Sequence, residues 1–263
     1  MDKPKISVVI IAKNEEKNIA RCLASVRWAD EVIVVDGFST DKTASIAESF
    51  GAKVIRHRFT GSFADERNFG MDAAGNDWTL HIDADDVVTE EFAAGAAEAL
   101  SKGEGAAVYK FLRKNFFLGH RMDYGGFHHY IPNLVNKRFV KYEGAVHEVP
   151  ACKGNVGTIE GAIEHYPFDS ISQFIERQNR YTDIAAKQVF QTEGRLNEAA
   201  IKKNMIGRSF KIFWKSYIKK QGYRDGIYGL VFAILFSLIN FMKWAKYWEL
   251  VNLKSNQVRH TLT

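Results

Sequence analysis

Residues 78–87 read WTLHIDADDV. The run from Trp78 to Ile82 has the length and composition of a strand, and it drives straight into three carboxylates, Asp83, Asp85 and Asp86. A core cannot hold such charge unpaired. The conflict disappears if the strand belongs to a parallel sheet, because open α/β sheets bind their ligands beyond the carboxyl ends of the strands. The acidic turn then sits at the mouth of a crevice.

The residues on the N-terminal side support that placement. Ile6 to Ala12, Glu31 to Asp36 and Lys53 to Arg58 are further β-branched runs, and Ile19 to Val26, Lys42 to Phe50 and Phe63 to Ala73 carry apolar residues at helical spacing. Ser39, Thr40 and Asp41 offer cap oxygens to the second helix, and Gly51 falls where a glycine would end it. Near-continuously apolar strands in βαβαβαβ order predict a parallel sheet covered on both faces. Lys13 and Glu15 then follow the first strand, Asp36 ends the second, and Asp83 to Asp86 follow the fourth.

Beyond residue 105 the pattern loosens. Ala106 to Leu112 reads as a strand, Gly119 to Gly126 as a loop, and Val135 to Val146 as room for a hairpin. A long helix is expected over Ser170 to Glu193, with Phe174, Tyr181, Ile184 and Ala185 on its apolar face, and a basic helical segment over Ala199 to Lys220. From Ile227 to Met242 come sixteen residues without a charge, short of the roughly 18 to 20 that span a bilayer. Lys211, Lys215, Lys219, Lys220 and Arg224 flank the run on one side, Lys243 and Lys246 on the other, with Trp244, Tyr247 and Trp248 at its edge. Basic flanks and aromatic edges suit a lipid interface; a buried core helix is the plainer alternative.

Composition narrows the classes. At 263 residues, 46% of them hydrophobic, the chain has the makings of one sizeable α/β domain with an appendage. Its 36 basic and 31 acidic residues are unevenly placed, the basic ones gathering in the C-terminal third. That bias serves nucleic acid, anionic lipid or an acidic substrate equally well. Cys22 and Cys152 lie far apart without metal-ligand spacing, which excludes a disulfide framework and argues against a structural zinc. The N-terminal apolar run, Ile6 to Ala12, is too short for a signal peptide, so a cytoplasmic location is expected.

Asp83-Ala84-Asp85 supplies the chemistry. Carboxylates at alternate positions past a strand can share a hard divalent cation, and such a cation commonly bridges substrate phosphates. An isolated D-x-D is common in solvated loops, but here Asp36 ends another strand and Arg67 precedes the turn, and a guanidinium fork matches phosphate oxygens.

At this point the blocks ISVVIIAKNEEKNI, EVIVVDGFSTDKT, ADERNFGMDAAGNDWTLHIDADD and YEGAVHE together resemble glycosyltransferase family 2, over roughly residues 5 to 150. GAIEHYPFDSISQFIERQNRYT and YRDGIYGLVFAILFSLINFMKWAKYWEL resemble the branch containing bacterial lipopolysaccharide-core β-1,4-glucosyltransferases. The resemblance implies an inverting enzyme of the GT-A fold: a Rossmann-like, mostly parallel sheet flanked by helices, with a C-terminal helical appendage. It divides the chain into a catalytic domain, 1–168 (donor half 1–104, acceptor half 105–168), and a membrane-associating appendage, 169–263.

By position, the resemblance puts Ile11, Lys13 and Glu15 along the base and ribose of a nucleotide-diphosphate sugar, with Asp36 on the nucleoside and Arg67 at the diphosphate. Asp83 would meet the ribose or the metal, and Asp85 the metal, Mn2+ or Mg2+. Inverting transfer also needs a base for the acceptor hydroxyl; Glu148 is the candidate, with Asp86 as a competitor for the base or metal role. His147 would complete the metal shell or touch the diphosphate. His128, His129 and His165 lie in aromatic-rich stretches, where histidines more often serve as hydrogen-bonding residues than as ligands. The implied donor is a UDP-sugar, the sugar glucose, and the acceptor a lipopolysaccharide-core or lipid-linked glycan, met by an enzyme bound peripherally to the inner face of the cell membrane. Two alternatives stay open: a soluble transferase acting on protein or exopolysaccharide, and a nucleotide- or nucleic-acid-binding module without catalysis. No nucleic-acid motif supports the second. Oligomeric state is not readable.

Overall fold

Four strands lie parallel at the start of the chain: β1 (Ile6–Ala12), β2 (Glu31–Asp36), β3 (Lys53–Arg56) and β4 (Trp78–Asp83), alternating with α1 (Ile19–Ser25), α2 (Thr43–Ser49) and α3 (Phe63–Asp72). This computed structural model describes residues 4–103, 105–144, 149–152 and 154–260, with side chains to Leu253. The chain forms two units. One runs to Lys114 and resumes over His129–Tyr166; the other comprises Asn115–His128 and everything from Pro167.

In the first unit β1 lies between β2 and β4, and its residues are buried on both faces because helices cover the sheet on both sides. Val8, Ile10, Val34, Leu80 and Ile82 form the centre of the core with Ile19 and Leu23 of α1. Burial of each such side chain stabilises the fold by about 1.5–3 kcal/mol. On the opposite face α3 approaches closely at Gly70, where an added Cβ would stand 2.4 Å from Val9 Cγ1 and 2.8 Å from Val35 Cγ2. Gly51 ends α2 with a positive φ of 80°, as its position in the sequence suggests.

The remaining strands pair antiparallel. After β5 (Asp86–Val88) and α4 (Glu90–Lys102) come β6 (Ala106–Phe117), β7 (His120–Arg121), β8 (His129–Asn136), β9 (Val140–Glu143), β10 (Val149–Cys152) and β11 (Asn155–His165). All but β7 and the end of β6 belong to this unit. The sheet order is β3-β2-β1-β4-β8-β6-β11-β5. β8 pairs antiparallel with both β4 and β6, and β11 with β5, bringing His165 opposite Asp86. The hairpin expected over 135–146 is displaced. β8 ends at Asn136, whose side chain accepts from the Arg138 N–H at 3.2 Å, and the hairpin is β9 with β10, Glu143 opposite Val149.

The second unit is helical apart from the Phe116–Phe117 pairing with His120 and Arg121. α5 (Ile171–Glu193) is capped by Ser170, which accepts from the Gln173 N–H, and matches the expected helix in extent. Its buried stripe is different: Phe174, Thr182 and Ala186 face inward, while Tyr181 and Ile184 are exposed. Thr182 can be buried because its hydroxyl is satisfied within the helix, donating to the Gln178 and Asn179 carbonyls. α6 (Glu198–Lys202) and α7 (Arg208–Phe213) alternate with π-helical turns at Lys203–Gly207 and Trp214–Lys219; a 3₁₀ turn, Gly222–Asp225, precedes α8 (Gly226–His260). Residues Gly222–Leu253 are long and apolar enough to cross a bilayer by length and composition. In the fold α8 packs against α5 and α7, burying Phe232, Ala233, Trp244, Tyr247 and Val251. Polar ties accompany that packing: Asn240 Nδ2 to Ser209 Oγ at 3.0 Å and Lys246 Nζ to Asp183 Oδ1 at 2.7 Å.

Candidate active site

The parallel register aligns the ends of three strands, with Ala12 opposite Asp36 and Ile11 opposite Asp83. The loops after β1 and β2 are stitched together across this edge. Asn14, with a left-handed φ of 55°, donates its N–H to Ser39 Oγ (2.9 Å) and accepts from the Thr40 N–H (2.8 Å). The Glu15 N–H donates to Thr43 Oγ1 (2.8 Å) and the Glu16 N–H to Asp41 Oδ2 (3.2 Å). Of the side chains expected to cap α2, Asp41 does so while also holding this rim, its Oδ1 accepting the N–H of Thr43 at 3.0 Å, and Ser39 is given over to the rim. Ile11 is half-buried, Lys13 exposed, and Glu15 half-buried with its carboxylate accepting from Asn18 Nδ2 at 2.8 Å. Asp36 is buried and accepts from the Ser39 N–H.

The acidic turn is held by guanidinium groups. Asp83 Oδ1 pairs with Arg67 Nη2 at 3.0 Å and Asp83 Oδ2 with Arg113 Nη2 at 2.6 Å. The same Arg113 grips Asp86, Nε to Oδ1 at 2.9 Å and Nη2 to Oδ1 and Oδ2 at 2.8 and 2.9 Å. Asp86 Oδ2 also accepts the Asp83 N–H at 2.9 Å, closing the turn. Asp86 is buried more deeply than Asp83 and, among the described residues, is not one of the groups whose ligand atoms gather here, which sets it apart from the base or metal role. Asp85 takes another direction: its Oδ1 lies 3.4 Å from His165 Nε2, and its carbonyl accepts the Tyr166 N–H at 2.9 Å.

The electrostatics follow from this layout. Burial alone would raise the Asp83 carboxyl, but Arg113 and Arg67 outweigh it and hold the group at about 2. Asp86 goes the other way, pushed up by burial, with Asp83 and Asp85 adding to the shift against Arg113 and His165. Burial also raises Glu66, next to Arg67 in α3, against the pull of Lys13 and Arg67.

Among the described residues Asp83, Asp85 and His165 present ligand atoms within 4.8 Å of one another. Two carboxylates and an imidazole make a mixed oxygen and nitrogen donor set, which suits Mn2+ more readily than Mg2+, whose preference is for oxygen. The residues present therefore fit a divalent cation. Glu148 and His147 lie outside the described residues. Of the positions singled out in the sequence, Asp83, Asp85 and Arg67 come together, and Ile11, Lys13, Glu15 and Asp36 line the adjoining rim. Arg113, His165 and Glu66 complete the arrangement. Only His165 was singled out by sequence, as a histidine in an aromatic-rich stretch, because its place opposite Asp86 depends on strand pairing.

Comparison with known proteins gives the family. Residues 7–156 match the profile of Glycosyl transferase family 2. An uncharacterized glycosyltransferase of Rickettsia felis is 31% identical over 97% of this chain and 93% of its own length. The lipopolysaccharide core biosynthesis glycosyltransferase LpsC of Rhizobium meliloti is 25% identical, covering 96% of this chain and 95% of its own. Among solved structures, glucosyl-3-phosphoglycerate synthase of Mycobacterium tuberculosis, in complex with Mn2+, UDP-glucose and phosphoglyceric acid, is 28% identical over 42% of this chain and 44% of its own, with a TM-score of 0.38. Matched over more than half its length by the family profile, and along nearly its whole length by relatives of the same kind, the chain belongs to glycosyl transferase family 2.

Proposed function

We propose that this protein is a metal-dependent, inverting glycosyltransferase that moves a sugar from a nucleotide-diphosphate donor to a lipopolysaccharide-core or lipid-linked glycan. The observation that carries the reading is the turn at the end of β4: Asp85 faces His165 while Asp83 is held between Arg67 and Arg113. Family membership supports the reaction class. The full-length likeness to LpsC supports the acceptor class. UDP as the nucleotide and glucose as the sugar rest on the sequence blocks quoted above.

In this reading Asp83, Asp85 and His165 hold a divalent cation, with His147 as the alternative nitrogen ligand. That cation, when bound, supplies charge stabilisation to the departing diphosphate. Ile11, Lys13, Glu15 and Asp36 bind the nucleoside, and Arg67 adds positive charge at the diphosphate end. Glu148 takes the proton of the acceptor hydroxyl. The catalytic domain is 1–168, and the remainder brings the enzyme to the inner face of the membrane as a peripheral protein.

The decisive experiment is a thermal-shift panel of nucleotide-diphosphate sugars with and without Mn2+, on the wild-type chain and on Asp85→Asn. Binding raises apparent stability with the logarithm of ligand over its dissociation constant, about 2.7 kcal/mol at a hundredfold excess. The true donor should stabilise the wild type only when Mn2+ is present, and Asp85→Asn should lose that response. Equal stabilisation of both proteins would refute the metal role. Glu148→Gln should keep the shift and lose turnover, and normal turnover would remove Glu148 as the base.

A further inference from the structure

Between Glu198 and Asp225 the chain carries eight basic residues and no acidic one. Within that stretch Ile206, Phe210, Trp214 and Ile218 recur every fourth residue and are all exposed, at 61%, 64%, 45% and 38%. Lys203, Lys211, Lys215 and Lys219 follow the same step one position on and are exposed as well. A four-residue repeat does not stay on one face of an α-helix. With about 3.6 residues per turn each step drifts by about 40°, so the stripe would wander by about 120° from 206 to 218.

The backbone removes the mismatch. π-helical turns at Lys203–Gly207 and Trp214–Lys219 alternate with α7, and a turn closed i→i+5 takes up more residues than an α turn. The average comes close to four, and the stripe runs straight. The inward face follows the same step from 201 to 209, and Ser216 turns inward seven residues further on. Ile201 is buried and Met205 packs beside it, Ser209 Oγ accepts from Asn240 Nδ2 at 3.0 Å, and Ser216 Oγ donates to the Gly125 carbonyl at 3.1 Å. The segment is thus fixed in rotation, and its apolar row with the adjoining lysine row is held outward.

We propose that this face, residues 202–220, is the surface by which the protein lies on an anionic lipid bilayer. The proposal rests on the membrane association put forward above and moves the contact from the 227–242 run to the preceding segment. Charge decides the occupant. A second copy paired face to face through the same patch would set lysine rows against each other with no acid between them. Nucleic acid gains nothing from exposed Ile206 and Ile218. A bilayer takes both rows, seating the apolar side chains below the headgroups and the ammonium groups among the phosphates. α8 is already committed on one face to α5 and α7, and its Asn240 and Lys246 ties would be lost if it crossed the bilayer alone.

The test is sedimentation of the full chain with vesicles of phosphatidylglycerol and phosphatidylethanolamine, against pure phosphatidylcholine. Wild type should bind the anionic vesicles and release with salt. Lys211→Glu/Lys215→Glu/Lys219→Glu should bind at least a hundredfold more weakly, since each lysine near such a surface contributes close to a factor of five and reversal costs more. Trp214→Phe should remove most of the fluorescence quenching by brominated acyl chains. Both variants should keep the wild-type melting temperature and the donor-induced thermal shift. Wild type that binds, with both variants unchanged, overturns this face while membrane association stands. Wild type that ignores anionic vesicles, or that dimerises through Phe210 and Trp214, overturns both, while the transferase reading is judged separately by the donor panel.

Discussion

Replacing Arg113 with methionine would isolate the energetics of the acidic turn. Asp86 is 1% exposed and relies on Arg113 for three contacts between 2.8 and 2.9 Å, keeping only the Asp83 N–H once the guanidinium is gone. Asp83 is better placed, because its other oxygen stays paired with Arg67. The loss therefore falls mainly on Asp86. Breaking a buried pair from one side costs about 3–5 kcal/mol, whereas an exposed pair contributes about 0–1 kcal/mol. For a chain of this size that corresponds to a fall in Tm of roughly 6–20 °C. Asp86 can escape the cost only by binding a proton, and burial and its acidic neighbours already push its carboxyl up. A carboxyl whose folded pKa lies above its unfolded value of about 3.9 stabilises the fold at low pH and loses that contribution as pH rises between the two values. The variant's deficit should accordingly be smallest near pH 4 and grow toward pH 7. The double variant Asp86→Leu/Arg113→Met should recover most of the loss, since apolar replacements of a buried pair are often neutral or better. Scanning calorimetry separates the transitions of independently melting units and reads all three proteins. An Arg113→Met protein within about 1 kcal/mol of wild type at pH 7, or a double variant no more stable than the single, would refute the reasoning.

Asp83, held at about 2, contributes stability that is present above about pH 4 and lost as pH falls toward 2, so the gap between wild type and Asp83→Asn should close over that window; a constant gap in acid denaturation curves would contradict the pairing. Asp85→Asn and His165→Ala should each weaken Mn2+ binding, read by electron paramagnetic resonance titration, by more than the roughly 10- to 100-fold that follows loss of a supporting contact around a metal. An unchanged titration for His165→Ala would remove it from the site. Gly70→Ala should lower stability by about 1–3 kcal/mol through overpacking against Val9 and Val35, and a neutral result in urea denaturation would show that α3 can shift outward.

What could be read in the sequence and what could not divides along the sheet. β1 to β4 and their helices are written in local patterns: short β-branched runs, helical spacing between them, Gly51 at a left-handed stop. Parallel order then forces Asp36 and Asp83 to one edge, and no further information is needed to find them. α5 shows where local reading fails. Tyr181 and Ile184 are the more apolar residues, but Thr182 is inside, its hydroxyl satisfied within the helix.

Arg113, and the place of His165 at the turn, were hidden for a deeper reason. Each belongs to the antiparallel half of the sheet, and each reaches the turn through a register set by pairing partners far away in the chain, His165 opposite Asp86 across β11 and β5. In strands of period two, a one-residue slip in β11 would turn His165 to the other face, and no local pattern reports that slip. The carboxylates at the strand ends are therefore placed by topology, and the groups that balance them are placed by register. Mutations that shift the register of β11, such as substitution of Gly161, whose φ is 95° and whose added Cβ would meet Phe92 N at 2.5 Å, should disable Asp85 through His165 without touching any residue of the turn. Gly161→Ala with wild-type Mn2+ affinity would show that the turn holds its geometry without β11.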